Sequence, residues 1–134
     1  MAAIMPAHIL IIEDNPDNLE LMQYLLETSG YQVMTAADGE AGIRMAESEL
    51  PDLILCDVQM PNGDGYQVVR HLRKDARFLN VPVVAVTALA MVGDRERTLA
   101  AGFDGYLSKP IEPEIFVGQV EAFLPAELRG DSTA

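Results

Sequence analysis

Four short polar motifs interrupt apolar runs in this 134-residue sequence: Glu13-Asp14, Asp57, Thr87 and Ser108-Lys109-Pro110. Each residue type has a use in phosphoryl chemistry. Carboxylates held close together repel, so such a cluster takes up a cation or raises a pKa. Carboxylate, carbonyl and water oxygens are the ligands that Mg²⁺ prefers, often completed by phosphate. A lysine offers a compact positive charge to phosphate oxygens, and a threonine hydroxyl donates a hydrogen bond. A carboxylate beside such an ion can attack phosphorus and form an aspartyl phosphate. Plainer readings exist for each motif alone. Asp14 and Asp17 sit favourably near a helix N-terminus, Asp57 could be a solvated loop residue, and Lys109 a surface charge.

The elements around these motifs decide between the two readings. His8 to Glu13 is nearly continuously apolar and reads as a strand buried on both faces. Asn15 and Pro16 then open a helix as N-cap and first residue, with Leu19, Met22 and Leu26 on one face and Gly30 at its end. The alternation continues with a strand at Tyr31 to Ala36, a helix at Gly39 to Glu49 and a short strand at Leu53 to Cys56. After a loop from Met60 to Gly65 come a helix from Asp64 to Lys74, a strand from Val81 to Val86 and a helix from Ala90 to Ala101 capped by Gly102. A short strand around Tyr106 and Leu107 precedes a last helix starting near Pro113, with Phe116, Val120, Phe123 and Leu124 on one face. Five strands alternating with five helices predict a doubly wound, five-stranded parallel sheet, an α/β domain over residues 8–124. Residues 1–7 and 125–134 are expected to be short flexible termini. In such a sheet ligands bind outside the carboxyl ends of the strands, which is where all four motifs fall.

Composition narrows the function. A net charge of −12 and a pI near 4.3 argue against a nucleic-acid partner, which would need clustered Lys and Arg. The single cysteine, Cys56, cannot form an internal disulfide, and directly before Asp57 it is expected to pack as a small hydrophobe. A cytoplasmic location follows from that cysteine usage and from the lack of a basic leader or an apolar stretch long enough to insert in a membrane. His8 and His71 are far from the acidic motifs in sequence and are expected at the surface or a sheet edge.

Taken together, Glu13-Asp14, Asp57-Val58-Gln59-Met60-Pro61 with Gly65, Thr87-Ala88 and Lys109-Pro110 resemble response-regulator receiver domains of two-component signalling, over nearly the whole chain. The resemblance implies the flavodoxin-like receiver fold and a phosphoacceptor switch rather than an enzyme with a separate substrate. It implies that Asp57 is phosphorylated, that Glu13, Asp14, Asp57 and the backbone carbonyl of Gln59 hold Mg²⁺, and that Thr87 and Lys109 contact the phosphoryl group. Thr87 and Tyr106 would be the switch pair, Ala88 would leave room for phosphate, Gln59 and Leu89 would tune dephosphorylation, and Lys109-Pro110 would be cis. Glu13 stands where many members have Asp, which keeps oxygen ligation with a longer reach. Expected partners are a histidine kinase or histidine phosphotransfer protein, with a monomer or weak phosphorylation-dependent dimer. No effector domain is expected after residue 124, and output is expected through protein contacts or onward transfer in a phosphorelay. The stretch Ala88 to Asp94 is similar to receivers found alone and attached to hybrid kinases, which favours relay or kinase regulation over motor binding.

Two other classes fit the elements less well. A phosphatase of the aspartate-nucleophile type usually has a second acid two residues after the nucleophile, where this chain has Gln59. A flavin carrier needs a hydroxyl-rich phosphate loop after the first strand, and Glu13-Asp14 there would repel the FMN phosphate.

Overall fold

The computed structural model describes residues 7–60, 64–88 and 92–129. Its strands are β1 (His8–Ile12), β2 (Gln32–Ala36), β3 (Leu53–Asp57), β4 (Val83–Thr87) and β5 (Gly105–Ser108), and its helices α1 (Pro16–Thr28), α2 (Gly39–Glu49), α3 (Gly65–Arg73), α4 (Val92–Ala101) and α5 (Pro113–Glu121). All strand pairs are parallel, in the order β2-β1-β3-β4-β5. The order reverses between β1 and β3, which opens a crevice at the carboxyl ends of those two strands. The expected doubly wound sheet with five helices is therefore present.

Strand periodicity sorts the core into two layers. Ile9, Ile11, Leu53, Leu55, Val84 and Val86 pack with Met22 and Leu26 of α1 and Phe116 and Val120 of α5. Their neighbours Leu10, Ile12, Ile54, Cys56, Val83 and Ala85 pack with Ala46 of α2 and Val68, Val69 and Leu72 of α3 on the opposite face. Successive side chains of a strand point to opposite faces, so strands covered on both sides must be apolar at every position. Each buried Leu, Ile or Val contributes about 1.5–3 kcal/mol.

Element ends follow local chemistry. The Asn15 side chain accepts the N–H groups of Asp17 and Asn18, and Asp64 and Gln67 form a capping box at α3. Gly30 and Gly102 close α1 and α4 at positive φ, each flanked by a Schellman pair of backbone hydrogen bonds. The fourth strand starts at Val83 rather than Val81, because Pro82 has no N–H to give to a ladder, and it runs on to Thr87. A 3₁₀ turn at Ala76–Phe78 was not legible in the sequence. It forms around Arg73, whose guanidinium donates to the carbonyls of Phe78, Val81 and Gly102 and to Asp104 Oδ2. A second short turn, Ala126–Leu128, follows α5, and Leu128 packs on the α1/α5 layer. The proposed helix start at Ala90 lies outside the described residues, as do Pro61 and Leu89.

Among the described residues, Leu50 is the non-glycine with positive φ. Leu50 caps α2 in the left-handed region at φ 49 and is 51% exposed. A side chain there costs about 1–2 kcal/mol that glycine avoids, while glycine loses more freedom on folding. Leu50→Gly is expected to raise stability by about 0.5 kcal/mol in urea denaturation; a loss of stability would show that Leu50 is held there by packing.

Candidate acidic phosphoryl site

Backbone pairing delivers the polar residues to one edge. The β3–β4 register sets Asp57 opposite Val86, and the β4–β5 register sets Thr87 opposite Ser108. Glu13 lies one residue beyond β1, its N–H still bonded to Ala36 O at 3.0 Å. Glu13 is 1% and Asp57 6% exposed, and Asp14 is exposed. One carboxylate oxygen from each of these three residues lies within 4.8 Å of the others.

Two kinds of partner hold the carboxylates. Glu13 Oε2 accepts the Asn15 N–H at 3.1 Å, and Asp57 Oδ1 accepts the Gln59 N–H at 3.1 Å. The Lys109 ammonium donates to Asp57 Oδ2 at 2.9 Å and stands 3.0 Å from Glu13 Oε1. That second contact is an ion pair without hydrogen-bond alignment, and Glu13 Oε1 is the buried side-chain oxygen left without a directed donor among the described residues. A buried carboxylate oxygen with no hydrogen-bond donor, beside two more carboxylates and a single ammonium, fits a hard divalent cation, which takes oxygen ligands and adds positive charge.

Electrostatics agree with the geometry. Burial pushes the Glu13 carboxyl up to about 7, helped by the neighbouring Asp57 carboxylate and opposed by the Asn15 N–H and Lys109. For Lys109 burial disfavours the charge, but the hydrogen bond to Asp57 and the close Asp57 and Glu13 carboxylates prevail and hold the ammonium above its ordinary pKa. One half-buried cation thus faces three clustered carboxylates.

The remaining residues fill out the surroundings. Thr87 ends β4 at 2% exposure, and its carbonyl accepts the Lys109 N–H at 2.9 Å, which fixes the end of β5. The Lys109–Pro110 peptide is cis, as the resemblance implied. Tyr106 on β5 is half-buried against the α2/α3 layer and lines a cleft with Arg95, Ser108, Pro110, Glu112 and Gln119. Gln59 and Ala88 are exposed, and Met60 packs on the same layer as Tyr106. Cys56 is fully buried with its thiol pKa raised, burial first and the charges of Asp57 and Glu13 next, which leaves it a packing residue. His71 is exposed, 3.4 Å from Glu47, and the half-buried His8 begins β1; neither lies in the acidic cluster.

Gly65 has no positive φ, and its importance is space. A Cβ at Gly65 would press on the Asp57 carbonyl and come within 2.8 Å of Val58 Cα. The Gly65 N–H bonds Val58 O at 2.9 Å, so α3 starts directly against the end of β3.

This architecture has many known counterparts. Residues 9–121 match the response regulator receiver domain family. The polar-differentiation response regulator DivK of Brucella anthropi is 39% identical over 120 residues, which are 90% of this chain and 98% of that protein. Among solved structures, the chemotaxis response regulator CheY4 of Vibrio cholerae superposes with a TM-score of 0.86 at 28% identity, covering 90% of this chain and 100% of that one. The receiver domain of a sensor histidine kinase from Pseudomonas aeruginosa PAO1 was solved with a magnesium ion coordinated in its active site cleft. It has a TM-score of 0.81 at 37% identity, over 89% of this chain and 98% of that domain. With an acidic crevice at the strand-order reversal and a matching sequence over most of its length, the chain belongs to the family of response regulator receiver domains.

Proposed function

We propose that this chain is a phosphorylation-controlled switch that takes a phosphoryl group on Asp57 from a phosphohistidine of a kinase or phosphotransfer protein. The observation that carries this reading is the Lys109 ammonium 2.9 Å from Asp57 Oδ2, inside the three-carboxylate cluster. An Asp57 carboxylate oxygen attacks phosphorus, a P–O bond forms, and the N–P bond breaks. Its electron pair returns to the imidazole, which picks up a proton. Lys109 then moves its charge from carboxylate to phosphoryl oxygen, and the Thr87 hydroxyl donates to a second one. Tyr106 follows Thr87 and alters the surface around β5. Glu13, Asp14, Asp57 and the Gln59 carbonyl hold Mg²⁺, which supplies charge neutralisation for the phosphoryl oxygens. The domain proper spans residues 8–124, acts in the cytoplasm and signals through protein contacts or onward transfer. Among the described residues no helix is long and apolar enough to cross a membrane.

Incubation with Mg²⁺ and acetyl phosphate is expected to yield one acid-stable, base-labile phosphoryl adduct, mapped to Asp57 by mass spectrometry. No adduct, or an adduct on another residue, overturns the reading.

The elevated Glu13 pKa sets a pH dependence. In the metal-free fold the protonated form is favoured, so the associated stability is complete below the ordinary value of 4.5 and is lost as pH rises through about 7. Metal binding has the opposite sign, because it needs the carboxylate and releases the proton. Mg²⁺ affinity is expected to fall by up to about tenfold per pH unit below 7, measured by calorimetric titration. In Glu13→Gln that dependence is expected to flatten; a wild-type affinity independent of pH between 5 and 7 would refute the assignment.

A further inference from the structure

The distribution of charge in this acidic chain is uneven. Six of its nine Lys and Arg lie within residues 70–97, against three acids, Asp75, Asp94 and Glu96. That segment carries +3 in a chain of −12, so the rest carries −15. Two of the six are spent on structure: Arg73 pairs with Asp104 and Arg77 with Asp75. Arg95 faces the cleft beside Tyr106. What remains at the seam of α3 and α4 is Arg70 and Arg97, with Lys74 one turn beyond Arg70.

Both arginines converge on one ring. The Arg97 guanidinium carbon from α4 lies 5.0 Å from the Tyr66 ring centroid, and that of Arg70 from α3 lies 5.9 Å from it. Tyr66 is 9% exposed and is fixed from behind by an edge-on contact with Phe103, with ring centroids 6.3 Å apart. Among the described residues neither guanidinium pairs with a carboxylate, although both side chains are exposed. Two like charges are thus held over one aromatic ring, neither paired with a carboxylate among the described residues. The ring contact restricts their rotamers, so a carboxylate binding there loses less entropy than at free side chains.

We propose that the α3–α4 seam, centred on Arg70, Arg97 and Tyr66, docks an acidic segment of a protein partner. A polynucleotide is the poorer fit: its charge extends well beyond the seam and would meet the −15 carried by the rest of the chain. A short Glu/Asp-rich segment matches the size of the patch and is steered to it by the same field that repels it elsewhere. Arg70, Arg97 and Tyr66 are not part of the three-carboxylate cluster, and docking there does not require Asp57 to be phosphorylated.

The test uses the whole unphosphorylated chain and a fluorescein-labelled twelve-residue Glu/Ala peptide, with the matching Lys/Ala peptide as control. Amide shifts in two-dimensional NMR are expected to concentrate on α3 and α4, and affinity in fluorescence anisotropy to fall steeply with salt. Arg70→Ala with Arg97→Ala is expected to weaken binding at least tenfold, while Arg44→Ala with Arg129→Ala leaves it within twofold. Because the double alanine variant also loses two ring contacts, its melting temperature is followed, and Arg70→Lys with Arg97→Lys supplies a second variant that keeps the charges but not the forks. This variant is expected to bind with intermediate affinity. Shifts centred on another surface, unchanged binding in both seam variants, tighter binding of a single-stranded DNA of equal charge, or self-association through the seam in sedimentation would each overturn the proposal. Failure of the acetyl phosphate reaction would leave this result untouched, since the peptide is measured without phosphorylation.

Discussion

Asp57→Asn is expected to take up no phosphoryl group from acetyl phosphate, a loss on the order of a thousandfold or more in rate. The amide keeps the size of the side chain and can still accept the Gln59 N–H, but it has no anionic oxygen to attack phosphorus. Removing this charge also changes the two groups that depend on it. Glu13 loses a neighbour that raises its pKa, and Lys109 loses one of its two carboxylate partners. The Glu13 pKa should therefore move down towards its ordinary value, while Mg²⁺, deprived of one ligand, binds more weakly. Phosphoryl uptake is read by intact mass and metal affinity by calorimetry. Wild-type uptake in the variant would place the acceptor elsewhere and overturn the proposed function.

Gly65→Ala is expected to destabilise the fold by about 3 kcal/mol, at the upper end for an added methyl group in a packed site. At most positions a neighbouring side chain can yield. Here the atoms in the way are the Asp57 carbonyl and Val58 Cα, which belong to the backbone of β3 and its exit. Either α3 retreats, breaking the 2.9 Å bond from the Gly65 N–H to Val58 O, or the end of β3 shifts and carries the Asp57 carboxylate away from Lys109. The first outcome appears as a lower denaturation midpoint, the second as slower phosphorylation. A variant with wild-type stability and wild-type phosphorylation would contradict the packing described here.

The comparison of Gly65 with Gly30 shows how different reasons lie behind one residue type. Gly30 has positive φ and sits just after a helical periodicity ends, so its role is local and could be anticipated. Gly65 has an ordinary φ, and its role depends on a strand seven or more residues earlier passing within van der Waals distance. The same distinction separates Asn15, whose capping follows from its place before Pro16, from Arg73, whose four hydrogen bonds join elements that only the fold brings together.

By itself the sequence determined the alternation of strands and helices, the parallel sheet and the edge at which Glu13, Asp14, Asp57, Thr87 and Lys109 meet. Those features rest on periodicity, on capping residues and on the rule that parallel strands end on the same side, all of which act within a few residues or within one topology. The depth of Glu13, its pKa near 7, the ion pair of its Oε1 with Lys109 and the bond from Lys109 to Asp57 were decided by the tertiary structure. Burial and electrostatic coupling depend on distances between side chains far apart in the chain, and no local pattern encodes them. The placement of Arg70 and Arg97 over Tyr66 belongs to the same class: two exposed arginines and one buried tyrosine become one charged site only because α3 and α4 pack side by side.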